Sequence, residues 1–315
     1  MDLFLSLLLF VGSLTALIVA TEYFLRSAGH LGRTLGVSPF VVGALIIAFG
    51  TSLPEATIAL FSVWNGVVDI PVAQTVGSNI ANILLVLGVV AIIIRRLVIT
   101  KNLADVELSL ILAVTLLFVL VSFDRVISFT EGLFLVAGFI CYIAYVFLAD
   151  DHRNYPLTSE EQLKHLSFLP KNLGVFLVAI IVIAAAAHST IIATQSIAFL
   201  FGVPEGLVAI TALALGTSLP ELVVSIQAAL RKEVEIIVGN IIGSNIFNIL
   251  FVVGIPALIT DLTLDQNTLS IGIPALIGVT ALFIVSSLSN RIHIWEGLFY
   301  VLLYLLLMVK LFGTL

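Results

Sequence analysis

The sequence predicts an all-α membrane protein with ten transmembrane helices arranged as two inverted five-helix repeats. The prediction rests on composition, on the length of the apolar stretches and on an internal duplication. Of the 315 residues, 61% are hydrophobic and 10% are charged, whereas a typical globular domain is about 45–50% apolar and about 25% charged. A soluble protein of this composition would expose large apolar patches, so the lipid bilayer is the expected solvent.

The apolar stretches have the length that a membrane-spanning helix needs, about 17–25 residues. They lie near 3–22, 36–64, 72–94, 106–123, 131–149, 173–199, 205–230, 236–258, 267–288 and 294–312. The first is too long for a signal peptide and lacks a small-residue cleavage site, so it is interpreted as a helix. The polar segment 150–172 is expected to be a cytoplasmic loop that connects the first repeat, 1–149, to the second, 173–315.

Basic residues predict the orientation, because loops rich in Lys and Arg stay in the cytoplasm. If both termini lie on the extracytoplasmic side of the cell (inner) membrane, two of the 13 basic residues lie on that side, Arg125 and Lys310. The other eleven then lie inside: Arg26, Arg33, Arg95, Arg96, Lys101, Arg153, Lys164, Lys171, Arg231, Lys232 and Arg291. The reverse topology would invert this bias.

The duplication relates Val41–Gly88 to Leu207–Gly254 at a constant offset of 166, with 20 of 48 positions identical. GTSLPE occurs at Gly50–Glu55 and Gly216–Glu221, and GSNIAN at Gly77–Asn82 returns as GSNIFN at Gly243–Asn248. Five helices per half is an odd number, so the second half enters the membrane from the opposite side. Such inverted repeats are typical of transporters that bind their substrate near the midplane.

The two GTSLPE segments place Glu55 and Glu221 in the middle of apolar stretches, where an acidic residue costs about 2.5–3.5 kcal/mol. A hydrogen-bonded structural glutamate is the alternative, but two such residues beside hydroxyls favour a cation site. Pro54 has no N–H, so the Gly50 carbonyl loses its helical partner. Carbonyl, hydroxyl and carboxylate oxygens are the ligands that Ca²⁺ and similar hard cations prefer.

The second motif supplies neutral polar groups. Ser78 and Asn82 are four residues apart on one helix face, as are Ser244 and Asn248, and all four are predicted ligands. The alternative is hydrogen bonding between helices, which Ser and Asn often provide in membranes. The offset asparagines, Asn79 and Asn245, are expected to point elsewhere.

With both motifs in view, the chain resembles the calcium/cation antiporter superfamily, and its prokaryotic sodium/calcium exchanger branch most of all. The resemblance implies that both glutamates bind Ca²⁺ and take part in binding Na⁺, as transported ions and without a cofactor or a catalytic residue. It implies a metal site formed by Ala48, Thr51, Ser52, Glu55, Ser78, Asn82, Ala214, Thr217, Ser218, Glu221, Ser244 and Asn248. It also implies that the first helix of each half slides and gates access.

The sequence departs from the family pattern at two places. Asn stands at both Asn82 and Asn248, where some exchangers carry one Asp, so the site has a charge of −2 when both glutamates ionise. In the gating helices Glu22 is matched by His188, which is interpreted as a hydrogen-bonded histidine or, less readily, as a proton relay. The proton/calcium branch usually has a Gly-Asn-x-x-Glu motif, so GTSLPE favours Na⁺ as the coupling ion.

The expected function is therefore Ca²⁺/Na⁺ antiport. The alternatives are exchange linked to H⁺ or K⁺, transport of Mn²⁺ or Mg²⁺, and a passive cation channel; an intramembrane hydrolase lacks a recognisable nucleophile. The expected partners are the two ions and the bilayer. The net charge of −6 is too dispersed for a nucleic-acid surface, and no obligatory protein partner is evident.

Overall fold

The computed structural model describes residues 3–98, 101–149, 159–200 and 218–313. The chain is mostly helical. In order, its helices are α1 (Leu3–Leu35), α2 (Pro39–Thr51), α3 (Leu53–Trp64), α4 (Ile70–Ile94), α5 (Lys101–Val121), α6 (Phe129–Ala149), α7 (Ser159–Leu200), α8 (Leu219–Leu230), α9 (Val234–Ala257), α10 (Thr268–Ser287) and α11 (Ile294–Gly313).

Two short antiparallel ribbons join connections from different halves, so the expectation of a purely helical protein is too simple. Strand β1 (Arg96–Val98) pairs with β4 (Arg291–His293), and β2 (Val126–Ile127) pairs with β3 (Leu262–Thr263). Strands β1, β2 and β4 each adjoin a helix end, where backbone groups have no partner within the helix. The pairing supplies partners to these connections.

In the described part of the chain, six helices are long and apolar enough to cross a membrane: α1, α4, α6, α7, α9 and α10. The pair α2–α3 makes a seventh if it is one span bent by 41°. The apolar parts of α5 and α8 are shorter, Glu107–Val121 and Leu219–Leu230, and residues 201–217 before α8 lie outside the described part of the chain. The count of ten spans remains a prediction.

Two helices extend beyond the apolar stretches that predicted them. Helix α1 continues past residue 22 to Leu35, and α7 begins at Ser159, inside the segment expected to be a loop. An apolar stretch predicts the part of a helix that lies in the lipid bilayer, whereas the helix itself can continue into polar residues that favour helical structure. The segment SEEQLK at 159–164 consists largely of good helix formers.

Helices α9 and α4 form the centre of the molecule. Within the most apolar part of each, 94% of α9 and 67% of α4 is buried, against 22% for α1 and α6. Both helices carry the GSNI motif of their half. The centre of the fold is therefore built from the helices that carry the GSNI motif, and α1 and α6 are more exposed.

Contacts between the halves occur in equivalent pairs. A Cβ on Gly297 in α11 would lie 2.7 Å from the Gly88 carbonyl oxygen in α4, and a Cβ on Gly132 in α6 would lie 3.2 Å from that of Gly254 in α9. At the duplication offset of 166, Gly88 corresponds to Gly254, and at an offset of 165 the EGLF segments of α6 and α11 correspond to each other. Each half thus packs its last helix against the GSNI helix of the other.

Candidate cation site

In the first half the GTSLPE segment interrupts a helix at Ser52, and in the second half Ser218 directly precedes a helix, while the residues before it lie outside the described part of the chain. At Ser52 the backbone has φ −91° and ψ 7°, and at Ser218 it has φ −88° and ψ 3°. A new helix then begins with the proline in its first turn, since Pro54 and Pro220 need no N–H partner there. The two halves therefore share the backbone conformation of the serine and the start of a new helix at the motif.

The break places each glutamate in the first turn of a helix, Glu55 in α3 and Glu221 in α8. The positive end of a helix dipole favours a carboxylate there. The preceding helix α2 ends at Thr51 with its carbonyl end, the negative end of its dipole, at the same break. Acidic side chains and a helix carbonyl end together favour a positive ion.

The two motifs meet across the halves. The hydroxyl of Ser52 donates to Glu221 Oε1 at 2.9 Å, and both side chains are almost completely buried, at 0% and 1% exposure. Their sequence positions are 169 residues apart. The first copy of GTSLPE thus contributes a hydroxyl to the carboxylate of the second.

Three glycines bring the backbones of α2 and α9 close together. A Cβ on Gly43 would lie 2.6 Å from the Ile236 carbonyl oxygen, and one on Gly239 would lie 2.6 Å from the Phe40 carbonyl oxygen. One on Gly243 would lie 2.2 Å from the Ala44 carbonyl oxygen. Gly239 and Gly243 are four residues apart, the small-xxx-small spacing that allows helix backbones to touch in membranes.

The predicted ligands of the second motif lie on these central helices. Ser78 and Asn82 are buried in α4, and Ser244 and Asn248 in α9. At both asparagines the backbone changes to π-helical turns, Asn82–Val86 and Asn248–Val253. Such turns are rare and frequently found at functional sites, and here they occur at equivalent positions of the two halves.

The offset asparagines are buried within the site region, contrary to the expectation that they point elsewhere. Asn79 Nδ2 donates to the Asn245 carbonyl oxygen at 3.0 Å, and Asn248 Nδ2 donates to Asn79 Oδ1 at 3.1 Å. The sequence argument failed because it assumed that one helix face serves the site. Both faces of α4 and α9 are covered by other helices, so residues one position off still meet polar partners.

Sequence reasoning also missed Asn240. The hydroxyl of Thr51 donates to Asn240 Oδ1 at 3.4 Å, and Asn240 Nδ2 donates to Ser225 Oγ at 3.1 Å. The signal was present in the sequence, because Asn240 precedes Ser244 by four residues in an apolar stretch. A second polar residue on the face of a predicted ligand is a candidate for the same site.

The described members of the predicted set are all buried: Ala48, Thr51, Ser52, Glu55, Ser78, Asn82, Ser218, Glu221, Ser244 and Asn248. Ala214 and Thr217 lie outside the described residues. Several of the buried oxygens find no hydrogen-bond partner among the described residues: Asn82 Oδ1, Asn248 Oδ1, Ser218 Oγ and Glu221 Oε2. Carboxylate, amide and hydroxyl oxygens left in this way have the chemistry of ligands for a hard cation.

The two residues singled out in the helices that are expected to gate access have different surroundings. Glu22 in α1 forms ion pairs with Arg26, at 2.6 Å, and with Arg231, which follows α8. The amide of Gln227 in α8 donates to the Ile18 carbonyl oxygen at 2.7 Å, beside these ion pairs. His188 is exposed on α7.

Comparison with known proteins agrees with this architecture. The family described as sodium/calcium exchanger protein matches residues 5–148 and 171–313. Inner membrane protein YrbG of Escherichia coli is 33% identical over 88% of this chain and 86% of its own length. Sodium/calcium exchanger MaX1 of Methanosarcina acetivorans is 30% identical over 97% of this chain and 98% of its own length.

The fold is also that of a solved exchanger. A structure of the sodium-calcium exchanger NCX_Mj, soaked with 10 mM Na⁺ and zero Ca²⁺, matches with a TM-score of 0.85 and 26% identity. The match covers 98% of this chain and 100% of that one. The relatedness therefore extends over essentially the whole chain.

A multi-span helical protein with buried carboxylates in the first turns of two helices, matched in this way, is an antiporter for cations. The chain belongs to the sodium/calcium exchanger family, since the family match covers both halves. The resemblance deduced from the two motifs is thereby confirmed.

Proposed function

We propose that this protein exchanges Ca²⁺ for Na⁺ across the cell membrane, with both ions bound between Glu55 and Glu221. The observation that carries the proposal is the bond from Ser52 to Glu221, which joins the two copies of GTSLPE in one buried cluster. The named relatives include a sodium/calcium exchanger that matches nearly the whole chain. We also propose ten spans in two inverted halves, 1–149 and 173–315, with both termini outside.

The charge of the site sets what it binds. Two ionised glutamates carry a charge of −2, which one Ca²⁺ or two protons would neutralise, whereas three Na⁺ would leave it at +1. The neutral ligands are the hydroxyls and carbonyls of the GTSLPE segments and the hydroxyls and amide oxygens of the GSNI motifs. Charge balance alone permits Na⁺ or H⁺ as the coupling ion, and the GTSLPE motif favours Na⁺.

Access to the site would alternate through movement of α1 and α7 against the other helices. Phe24 of α1 and Phe176 of α7 stack with ring centroids 5.0 Å apart, and a Cβ on Gly50 would lie 2.7 Å from the Phe24 ring. These two helices therefore pack together directly against the motif. A slide of the pair changes what covers the site without rebuilding it.

The test of coupling is uptake of radioactive Ca²⁺ into vesicles containing the purified protein. We expect an outward Na⁺ gradient to drive uptake, and a pH or K⁺ gradient to leave it unchanged. Uptake that follows pH and ignores Na⁺ would establish the proton-linked alternative instead. Flux that saturates poorly and needs no counter-ion would indicate a channel.

The test of the site is the pair Glu55→Gln and Glu221→Gln, which keep the shape of the side chain and remove its charge. Each variant is expected to abolish Ca²⁺ binding, measured by calorimetry on the purified protein. Glu131→Gln is the matched control, because Glu131 accepts from Ser128 at the start of α6 and lies outside the motifs. Retained Ca²⁺ binding in both site variants would overturn the assignment.

A further inference from the structure

Asn79 connects the two halves through both ends of its amide. Its Nδ2 donates to the carbonyl oxygen of Asn245 at 3.0 Å, and its Oδ1 accepts from Asn248 Nδ2 at 3.1 Å. The side chain is completely buried. Because an amide has donors at one end and acceptors at the other, these two bonds determine which way the Asn79 amide faces.

The orientation of Asn79 determines that of Asn248. The N–H₂ group of Asn248 points to Asn79, so its Oδ1 lies at the opposite corner of the amide. That oxygen is buried and has no hydrogen-bond partner among the described residues. A cation binds to the oxygen of an amide and not to its N–H₂ group, so Asn79 presents Asn248 in the orientation that a cation requires.

The equivalent residues of the other half are arranged differently. Asn245 corresponds to Asn79, but its Nδ2 donates to the Ile241 carbonyl oxygen one turn earlier in α9, at 2.7 Å. Its Oδ1 has no partner among the described residues, and neither has either end of the Asn82 amide. In this conformation the site therefore orients the ligand amide of the second half and leaves that of the first half unoriented.

We propose that Asn79 and Asn245 are positioning residues that act in turn, Asn79 on Asn248 in this conformation and Asn245 on Asn82 in the one open to the opposite side. The proposal rests on the proposed function, and on the exchange of conformations between inverted halves during alternating access. After that exchange, Asn245 Oδ1 accepts from Asn82 Nδ2, as Asn79 Oδ1 accepts from Asn248 Nδ2 here. Asn79 then turns its Nδ2 back to its own helix.

The test compares Asn79→Leu with Asn245→Leu, since leucine matches asparagine in shape and makes no hydrogen bond. The protein is reconstituted in one orientation, and the half-saturating Ca²⁺ concentration is measured on each face separately. Loss of a residue that orients a ligand typically weakens metal binding about 10–100-fold. We expect a rise of that size on one face for Asn79→Leu and on the opposite face for Asn245→Leu.

Thr75→Val is the matched control, because the Thr75 hydroxyl donates to the main-chain oxygen of Asn248 at 3.4 Å and does not touch its amide. It should leave half-saturation unchanged on both faces. If Asn79→Leu does not fold, Asn79→Ser is measured instead, since serine is too short to reach Asn248. An equal rise on both faces, or no rise on either, would overturn the proposal.

A second comparison separates positioning from a structural role. In an Asn248→Asp background residue 248 has no N–H₂ group to direct, so adding Asn79→Leu should change half-saturation less than about threefold. A full effect in that background would mean that Asn79 acts on packing, and would overturn the proposal. Radioactive Na⁺ entry is measured in the same vesicles. If the wild-type protein moves Na⁺ but not Ca²⁺, the Ca²⁺ assignment is refuted. The asparagine variants are then compared by their half-saturating Na⁺ concentration on each face.

Discussion

Replacing Gly243 with alanine would place a methyl group against the backbone of the neighbouring helix. A Cβ built on Gly243 lies 2.2 Å from the Ala44 carbonyl oxygen and 2.7 Å from its Cα. The obstacle is main chain in the middle of α2, so it cannot rotate away as a flexible side chain would. Helices α2 and α9 must move apart in the Gly243→Ala variant.

The size of the movement follows from the geometry. An ordinary contact for a Cβ is 3.4 Å or more, so the two helices would separate by about 1.2 Å near Gly243. Overpacking of this kind costs about 1–3 kcal/mol of stability. Ser244 is the next residue, and Ca²⁺ requires its ligands at about 2.3–2.6 Å. If the same cost falls on the ion-bound form, Ca²⁺ affinity decreases by about 5–150-fold.

The assay measures thermal unfolding and Ca²⁺ binding of the purified protein in one detergent. Gly278→Ala is the matched control, because Gly278 is exposed on α10 and a Cβ there meets nothing within 4 Å among the described residues. Gly→Ala at an unstrained position usually stabilises by about 0.4–1 kcal/mol. The two variants should therefore change stability in opposite directions, and only Gly243→Ala should weaken Ca²⁺ binding.

Two outcomes would refute the reasoning. If Gly243→Ala bound Ca²⁺ as tightly as the wild type, close packing of α2 on α9 would not be what holds the ligands in place. If Gly278→Ala were as damaging as Gly243→Ala, the effect would come from alanine in a helix and not from the contact with Ala44.

Two further predictions concern bonds between the halves. Ser52→Ala removes the hydroxyl that donates to Glu221, and a hydrogen bond to a charged group is worth about 1.5–3 kcal/mol. Ca²⁺ affinity measured by calorimetry should therefore fall about 10–150-fold. Ser62→Ala in the same span is the control, and an equal loss of affinity in both variants would contradict the role of Ser52. Glu22→Gln breaks the ion pair between Glu22 and Arg231, whose side chains are 35% and 27% exposed, respectively. An ion pair this exposed should contribute less than about 1 kcal/mol to stability. In this variant we expect the exchange rate in vesicles to change by up to fivefold while Ca²⁺ affinity stays the same. A large change in Ca²⁺ affinity would contradict a role of this ion pair in helix movement alone.

The sequence alone predicted the solvent, the duplication and the chemical groups of the proposed site. Membrane insertion follows from composition, which needs no knowledge of contacts. The duplication is visible because 20 of 48 aligned positions are identical. Glu55 and Glu221 were identified because a carboxylate in an apolar stretch is costly wherever the chain folds, and the burial of both agrees with that argument.

Only the tertiary structure decided which residues pair. Ser52 bonds to Glu221 of the other half, although Glu55 lies three positions away in its own segment. Asn79, set aside because of its helix face, orients Asn248. These contacts join residues that are 166 or 169 positions apart. Sequence periodicity describes one helix at a time, so it names the groups that a site needs, whereas the packing of helices from two halves decides which of those groups meet.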